Sequence, residues 1–147
     1  MQAPRSPHAG SAHHDAPESV VDNPFLELIG VRQTQWCEGY AEFELPVQPC
    51  LLNRQGVLQG GVLSTLLDVA CGYAGLYSPP AHEPLHGHTV SLTVNFINKG
   101  ASGVVVAKGF LVQRARTLFF ARGEAWLDGT LLLASAQGSF KLTGRAR

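Results

Sequence analysis

Asp68 is the only charged residue in Gly60–Tyr77 (GGVLSTLLDVACGYAGLY), the most apolar stretch of the chain, and a diglycine opens that stretch. A carboxylate inside a buried segment is costly unless it is paired, hydrogen-bonded or protonated. Two readings follow. Asp68 is a buried acid held by local hydrogen bonds, or it is a catalytic carboxylate on a buried helix. The same segment carries small residues at spacings of three and four: Gly61, Ser64, Thr65, Asp68, Cys71, Gly72 and Gly75. Glycine inside a helix costs about 1 kcal/mol relative to alanine. Gly72 and Gly75 therefore need a reason, either close packing or room for a ligand. A second cluster, His82, Glu83, His86 and His88, has metal-ligand types but lies in a Pro-containing loop with no second ligand group, which argues against zinc. The chain has no G-x-S-x-G elbow, no phosphate-binding P-loop and no G-x-G-x-x-G, so serine-hydrolase and nucleotide-cofactor sites are unsupported.

The elements around Asp68 can be read from their punctuation. Asn23 caps a short helix with Pro24 at its first position, and Gly30 stops it. Val31–Cys37 and Tyr40–Val47 read as strands split near Glu38-Gly39, with Ala41, Phe43 and Leu45 on one face of the second. Pro46, Pro49, Asn53 and Gly56 mark an irregular loop leading to the diglycine. The long helix then runs from about Gly60 to Tyr77, and Pro79-Pro80 end it. Four strands follow the His82–His88 loop. Thr89–Ile97 alternates Val90, Leu92, Val94 and Phe96 against Thr89, Ser91, Thr93 and Asn95. Val104–Gln113 comes after a Gly100–Gly103 turn, and Asp128-Gly129 joins Leu118–Leu127 to Leu131–Leu142 as a hairpin. In the last strand Leu132, Ala134, Ala136, Gly138, Phe140 and Leu142 share a face.

Strands in hairpin succession predict an antiparallel sheet, and a helix apolar nearly all round must be enclosed. The expectation is an α+β fold in which a curved antiparallel sheet wraps one long central helix. A single sheet covers only part of such a helix, so dimerisation is expected to complete the enclosure.

At 147 residues with 45% hydrophobic content, the chain reads as one domain with a sizeable core. Residues 1–20, rich in Pro, Ala, Ser and His, hold almost no large apolar side chain. They read as a disordered tail, with His8, His13 and His14 solvated, ahead of a single domain over 21–147. A formal net charge of zero and a pI near 7.0 argue against a nucleic-acid or anionic-membrane partner. Cys37, Cys50 and Cys71 form no C-x-x-C and leave an odd thiol. With no apolar leader at the N-terminus and no stretch suited to span a bilayer, they read as reduced, in a cytoplasmic protein.

Asn53, the segment Gly56-Val57-Leu58-Gln59-Gly60-Gly61, Leu67-Asp68, the strand TVSLTVNF and the closing R-A-R…LDGTLLLASAQGSF together resemble the hotdog-fold acyl-CoA thioesterases of the phenylacetate-degradation (PaaI-like) type. The resemblance runs from about Asn23 to Leu142, and its most specific part is the spacing N-x6-GG-x6-D. It implies a site made of Asn53, Gln59-Gly60-Gly61 with Thr65 nearby, and Asp68, with Thr89 and its neighbour Ser91 as polar groups on the following strand. Gln59 stands where the family usually has His; it can donate a hydrogen bond but cannot titrate. The implied activity is hydrolysis of an acyl- or aryl-CoA by a homodimer or dimer of dimers, with no cofactor and no metal, coenzyme A being part of the substrate.

The parts suit that chemistry. Negative charge builds on the thioester oxygen, and a helix N-terminus offers unpaired N–H groups and a positive dipole end. Glycine permits close approach, so Gly60 N–H serves as oxyanion donor, worth about 3 kcal/mol in the transition state. Asp68 serves as general base or as nucleophile; the sequence leaves both routes open. Arg114 and Arg116, with Arg122 and Lys99, are candidates to grip coenzyme A phosphates or are simply solvated strand ends. Two other functions share the fold: a non-catalytic acyl-CoA binding or sensing module, and a hydratase or dehydratase. Asp68 favours the hydrolase over the first, and Gln59 removes the obvious His acid/base of the second.

Overall fold

The computed structural model describes residues 23–145; the expected N-terminal tail, with its three histidines, lies outside them. Helix α1 (Pro24–Ile29) begins where Asn23 Oδ1 accepts from the Phe25 and Leu26 N–H groups, and ends at Gly30 in the left-handed region. Strands β1 (Arg32–Cys37) and β2 (Tyr40–Pro46) form the first hairpin, and the loop after them holds one 3-10 turn, Pro49–Leu51. Helix α2 (Gly60–Leu76) follows, then β3 (Leu85–Phe96), β4 (Val104–Arg114), β5 (Leu118–Leu127) and β6 (Leu131–Arg145).

All six strands form one antiparallel sheet in the order β1-β2-β4-β5-β6-β3, wrapped around α2 as the residue pattern predicts, which is the hotdog fold that the resemblance implies. The Asp128-Gly129 turn has both residues at positive φ, as the tight hairpin requires. Ala41, Phe43 and Leu45 are fully buried against Leu66, Leu67 and Ala70 of the helix. The helix lies on a glycine trench in the sheet. A Cβ on Gly109 would stand 1.9 Å from the Ala70 carbonyl oxygen, so only glycine admits the helix backbone there.

Three expectations are corrected. The His82–His88 loop is shorter than read, because β3 begins at Leu85 and takes in His86 and His88. The alternation of β3 does not run straight through. The register shifts between Thr89 and Ser91, so Val90 is extruded and 56% exposed, while Thr89 joins Leu92 and Val94 on the helix side. A second shift, between Ala125 and Trp126, does the same for β6: Leu133 is fully buried next to Ala134, and Leu132 is only half-buried. A bulge adds one residue to a period-2 pattern, which sequence alternation alone cannot reveal.

Candidate active site

Asp68 lies on the side of α2 that the sheet leaves uncovered, so it is half-buried rather than enclosed, and no charged residue is fully buried among the described residues. The sheet closes over Leu63, Leu66, Leu67, Ala70 and Ala74 and covers Thr65 and Asp68 only in part, leaving Gly61 exposed. Across the gap, Thr89 Oγ1 donates to Asp68 Oδ1 at 2.6 Å. The β3 bulge makes this bond possible, because it turns Thr89 inward. The bond fixes the carboxylate's orientation and leaves Oδ2 without a partner among the described residues.

Below Asp68 opens a cleft of about 150 Å³ lined by Val69, Gly72, Leu76, Thr89, Phe119 and Phe140, with His88 at its rim. The rings of Phe119 and Phe140, both in its lining, stack with centroids 4.9 Å apart. Cys71, one residue from Gly72, faces the core instead. Burial, reinforced by the negative charge of Asp68, pushes its thiol up to about 12, so it is no nucleophile.

The start of α2 is bare. Gln59 occupies the cap position with no side-chain hydrogen bond to the helix, and its side chain is exposed. Val62 N–H turns back to the Gln59 carbonyl, while no backbone acceptor outside the helix takes Gly60 or Gly61 N–H among the described residues. Phe96 packs its ring against Gly60; a Cβ there would stand 3.2 Å from Cε1. Asn53 organises the loop before the helix. Its Oδ1 accepts from the N–H groups of Gln55 (2.9 Å) and Val57 (3.3 Å), and its own N–H reaches the Val57 carbonyl. The Asn53 amide nitrogen is left as a donor without a partner among the described residues. Thr65 Oγ1 donates to the Gly61 carbonyl one turn back.

The residues thus fall into two groups. Asn53, Gln59, Gly60 and Gly61 gather at the helix start; Asp68 and Thr89 meet at its midpoint. Gly60 and Asp68 are eight residues apart along α2, about 12 Å of axial rise. Ser91 joins neither group: it bonds Ser139 at 2.8 Å on the outer face of the sheet, beside Phe120 and Arg122. Arg114 donates to the Gly75 carbonyl oxygen at the end of α2 and lies over Phe119. Arg122 stacks on Phe110 on the outer face and pairs with Glu124, and Arg116 is exposed in the β4–β5 turn. No group of three or more His, Cys, Asp or Glu that could hold a metal ion is found among the described residues.

Sequence reasoning missed the walls of the cleft. Phe119 and Phe140 carry no local sign of a site, because they come from β5 and β6 and meet only through the sheet. His88 was seen as part of a loop; its place beside Thr89 depends on where β3 starts.

These features define the class: a hotdog domain with bare backbone donors at the start of its central helix and a hydrogen-bonded carboxylate two turns on. The model of the Thioesterase superfamily matches residues 55–134, more than half of the chain, and the chain belongs to that family. It is 25% identical over 134 residues to the medium/long-chain acyl-CoA thioesterase YigI of Salmonella typhimurium, covering 82% of this chain and 86% of that protein. Among solved structures it is similar to the conserved protein PA5202 of Pseudomonas aeruginosa, with a TM-score of 0.73, 28% identity and coverage of 82% of this chain and 94% of that one. The PaaI protein of the phenylacetic acid degradation operon of E. coli shares the fold, with a TM-score of 0.75 at 19% identity over 85% of this chain and 88% of that one.

Proposed function

We propose that this protein hydrolyses an acyl- or aryl-CoA thioester to free acid and coenzyme A, with Asp68 as its catalytic carboxylate. The observation that carries the proposal is the Asp68 carboxylate, oriented by Thr89 at 2.6 Å, with one oxygen open beside a cleft lined in part by Phe119 and Phe140. Membership of the Thioesterase superfamily and the name of the curated relative support thioester hydrolysis as the reaction class.

In this reading a water beside Asp68 attacks the thioester carbon while the carboxylate accepts its proton. The developing oxyanion accepts from Gly60 N–H, and the Asn53 amide holds the carbonyl in line. Collapse of the tetrahedral species breaks the C–S bond and releases the thiol of coenzyme A. The nucleophilic route through an acyl anhydride uses the same atoms. Gln59 orients the thioester without titrating. Arg114 is engaged with the end of α2, so Arg116 is the member of that pair left for a coenzyme A phosphate.

The two groups of residues, about 12 Å apart on one helix, cannot act on one carbon from a single chain. Two antiparallel helices across a two-fold axis can, with Gly60 and Asn53 of one subunit meeting Asp68 and Thr89 of the other. Two features support such a homodimer. The uncovered side of α2 is the side that carries Asp68. The twelve-residue β3 is an edge strand with Val90 and Phe96 exposed, and an unpaired edge of that length recruits another strand. A dimer of dimers would extend the same scheme. Three free cysteines, two of them exposed, support a reducing, cytoplasmic setting.

The test begins with Asp68→Asn, read by free-thiol release from acyl-CoA: kcat should fall by roughly 10²-fold or more. Unchanged turnover would remove Asp68 from the mechanism. Co-expression of inactive Asn53→Ala and Asp68→Ala subunits then tests the shared site. Random pairing makes about half the dimers mixed, each with one intact site, so about a quarter of wild-type activity should return. A mixture that stays dead shows that both residues serve one site within one chain.

A further inference from the structure

Strand β3 touches both groups of site residues. At one end Thr89 holds the Asp68 carboxylate; at the other the Phe96 ring lies against Gly60. Between them Leu92 and Val94 pack on the core, whereas Phe96 is 57% exposed. Core packing therefore does not account for an aromatic ring at this position. The strand that presents the ring is nonetheless pinned. Phe96 pairs with Ala134, the N–H groups of Ile97 and Asn98 both reach the Leu133 carbonyl, and Asn98 Nδ2 donates to the Leu132 carbonyl. The loop before α2 is tied to the same region, because Leu58 N–H donates to the Gly100 carbonyl at 2.7 Å. Gly60 and Phe96 thus stand on two segments fastened to each other. A Cβ at position 60 would come within 3.2, 3.5 and 3.8 Å of Cε1, Cζ and Cδ1 of the ring. The ring borders the space that a side chain there would take.

We propose that Phe96 is a positioning residue of the hydrolysis proposed above, on which the inference rests. Its ring walls one flank of the Gly60 N–H, keeps water from it and leaves it for the thioester oxygen. A donor that water reaches exchanges one hydrogen bond for another when the oxyanion forms. A donor held dry beside an apolar wall gives far more of its strength to the charge that develops. Gly60 N–H lacks another such wall on its own helix, since Gln59 is polar and exposed and Gly61 carries no side chain. Phe96 supplies no hydrogen bond of its own and acts through the Gly60 donor. It therefore belongs with Asn53 and Gly60 rather than with Asp68, and its effect falls on kcat more than on KM.

The experiment measures kcat and KM by free-thiol release, with the best substrate among acetyl-, phenylacetyl-, octanoyl- and palmitoyl-CoA. It uses the purified full chain and its Phe96→Ala and Phe96→Leu variants, each checked for melting temperature and oligomeric state. Phe96→Ala should lower kcat by about tenfold, less than the roughly 10²–10³-fold cost of deleting an oxyanion donor, and change KM by less than about threefold. Phe96→Leu keeps an apolar wall and should return kcat to within about threefold of the wild type. Phe96→Ala subunits are then co-expressed with inactive Asp68→Ala or inactive Asn53→Ala subunits. With Asp68→Ala each mixed dimer regains one intact site, so about a quarter of wild-type activity should return; with Asn53→Ala only about a twentieth should. An unchanged kcat in Phe96→Ala overturns the proposal. So does a drop that comes with loss of the oligomer, which makes Phe96 an interface residue. Rescue by Asn53→Ala in place of Asp68→Ala puts the ring on the carboxylate's side and overturns it as well. If Asn53→Ala and Asp68→Ala fail to complement each other, the shared site falls, and kcat of the two Phe96 variants decides for or against the ring. An active Asp68→Asn defeats the role of Asp68 and leaves that of Phe96 standing. A wild type that hydrolyses none of the four defeats the thioesterase reading, and this proposal with it.

Discussion

At the C-terminal end of α2, side chains from the sheet close off the last turn: Trp36 Nε1 donates to the Tyr73 carbonyl at 2.9 Å, and Arg114 reaches the Gly75 carbonyl. At the N-terminal end no such side-chain bond is made among the described residues. Gln59 makes no capping bond, and the first N–H groups face outward past two residues without side chains. The aromatic density differs in the same direction. Trp36 packs on Tyr73 and Tyr77, with centroids 5.3 and 5.7 Å away, and Phe119 fills the space at Gly75. Nearest to Gly60 is the ring of Phe96, itself 57% exposed. A helix needs partners at both ends, and most N-termini find a Ser, Thr, Asp or Asn cap. One finished end and one bare end on a single helix are what a scaffold needs if its donors are kept for a ligand while the rest is held rigid.

Gly75→Ala gives the largest expected effect on this contrast. It forces the Phe119 ring, stacked on Phe140, out of a packed position, so the melting temperature should fall by several degrees, equivalent to about 1–3 kcal/mol. A variant as stable as the wild type would show that the C-terminal end has slack, and the contrast would weaken. Trp36→Phe removes one hydrogen bond to the Tyr73 carbonyl while keeping an aromatic ring. It should cost about 1 kcal/mol in thermal unfolding and leave kcat unchanged, since Trp36, on β1, holds the last turn of α2 at Tyr73, about 20 Å along the helix from Gly60. A drop in kcat with no loss of stability would tie this end to the chemistry and break the division of labour. The smallest effect belongs to Gln59→His. Gln59 is exposed and caps nothing, so melting temperature should stay within about a degree and thioesterase activity should be retained or rise. Loss of folding in this variant would show that the N-terminal end depends on Gln59 after all.

Much of this was legible along the chain because it depends on neighbours in sequence. Asn23, Pro24 and Gly30 bracket α1 by local capping and backbone conformation alone. The apolar run from Gly60 and the Asp128-Gly129 turn set the long helix and the last hairpin for the same kind of reason. The spacing of Asn53, Gly60, Gly61 and Asp68 is likewise a property of one loop and one helix.

Other features depend on strands that are remote in sequence. The bulge at Val90 is set by how β3 registers on β6, and it alone decides that Thr89 rather than Val90 turns toward Asp68. The separate fates of Ser91 and Thr89 follow from that one extra residue. Gly72 and Gly75 carry the same information in sequence, yet Phe119, 44 residues beyond Gly75, fills the space at one and leaves the other open. Arg114 reads as a free cation until the sheet carries it to the end of α2. The sequence determined a curved antiparallel sheet around one apolar helix and a lone carboxylate on that helix, because periodicity and capping act within a few residues. The tertiary structure alone decided which side of the helix stays uncovered, which glycine is packed and which is open, and where the cleft lies, because these rest on register and on contacts between segments far apart in the chain.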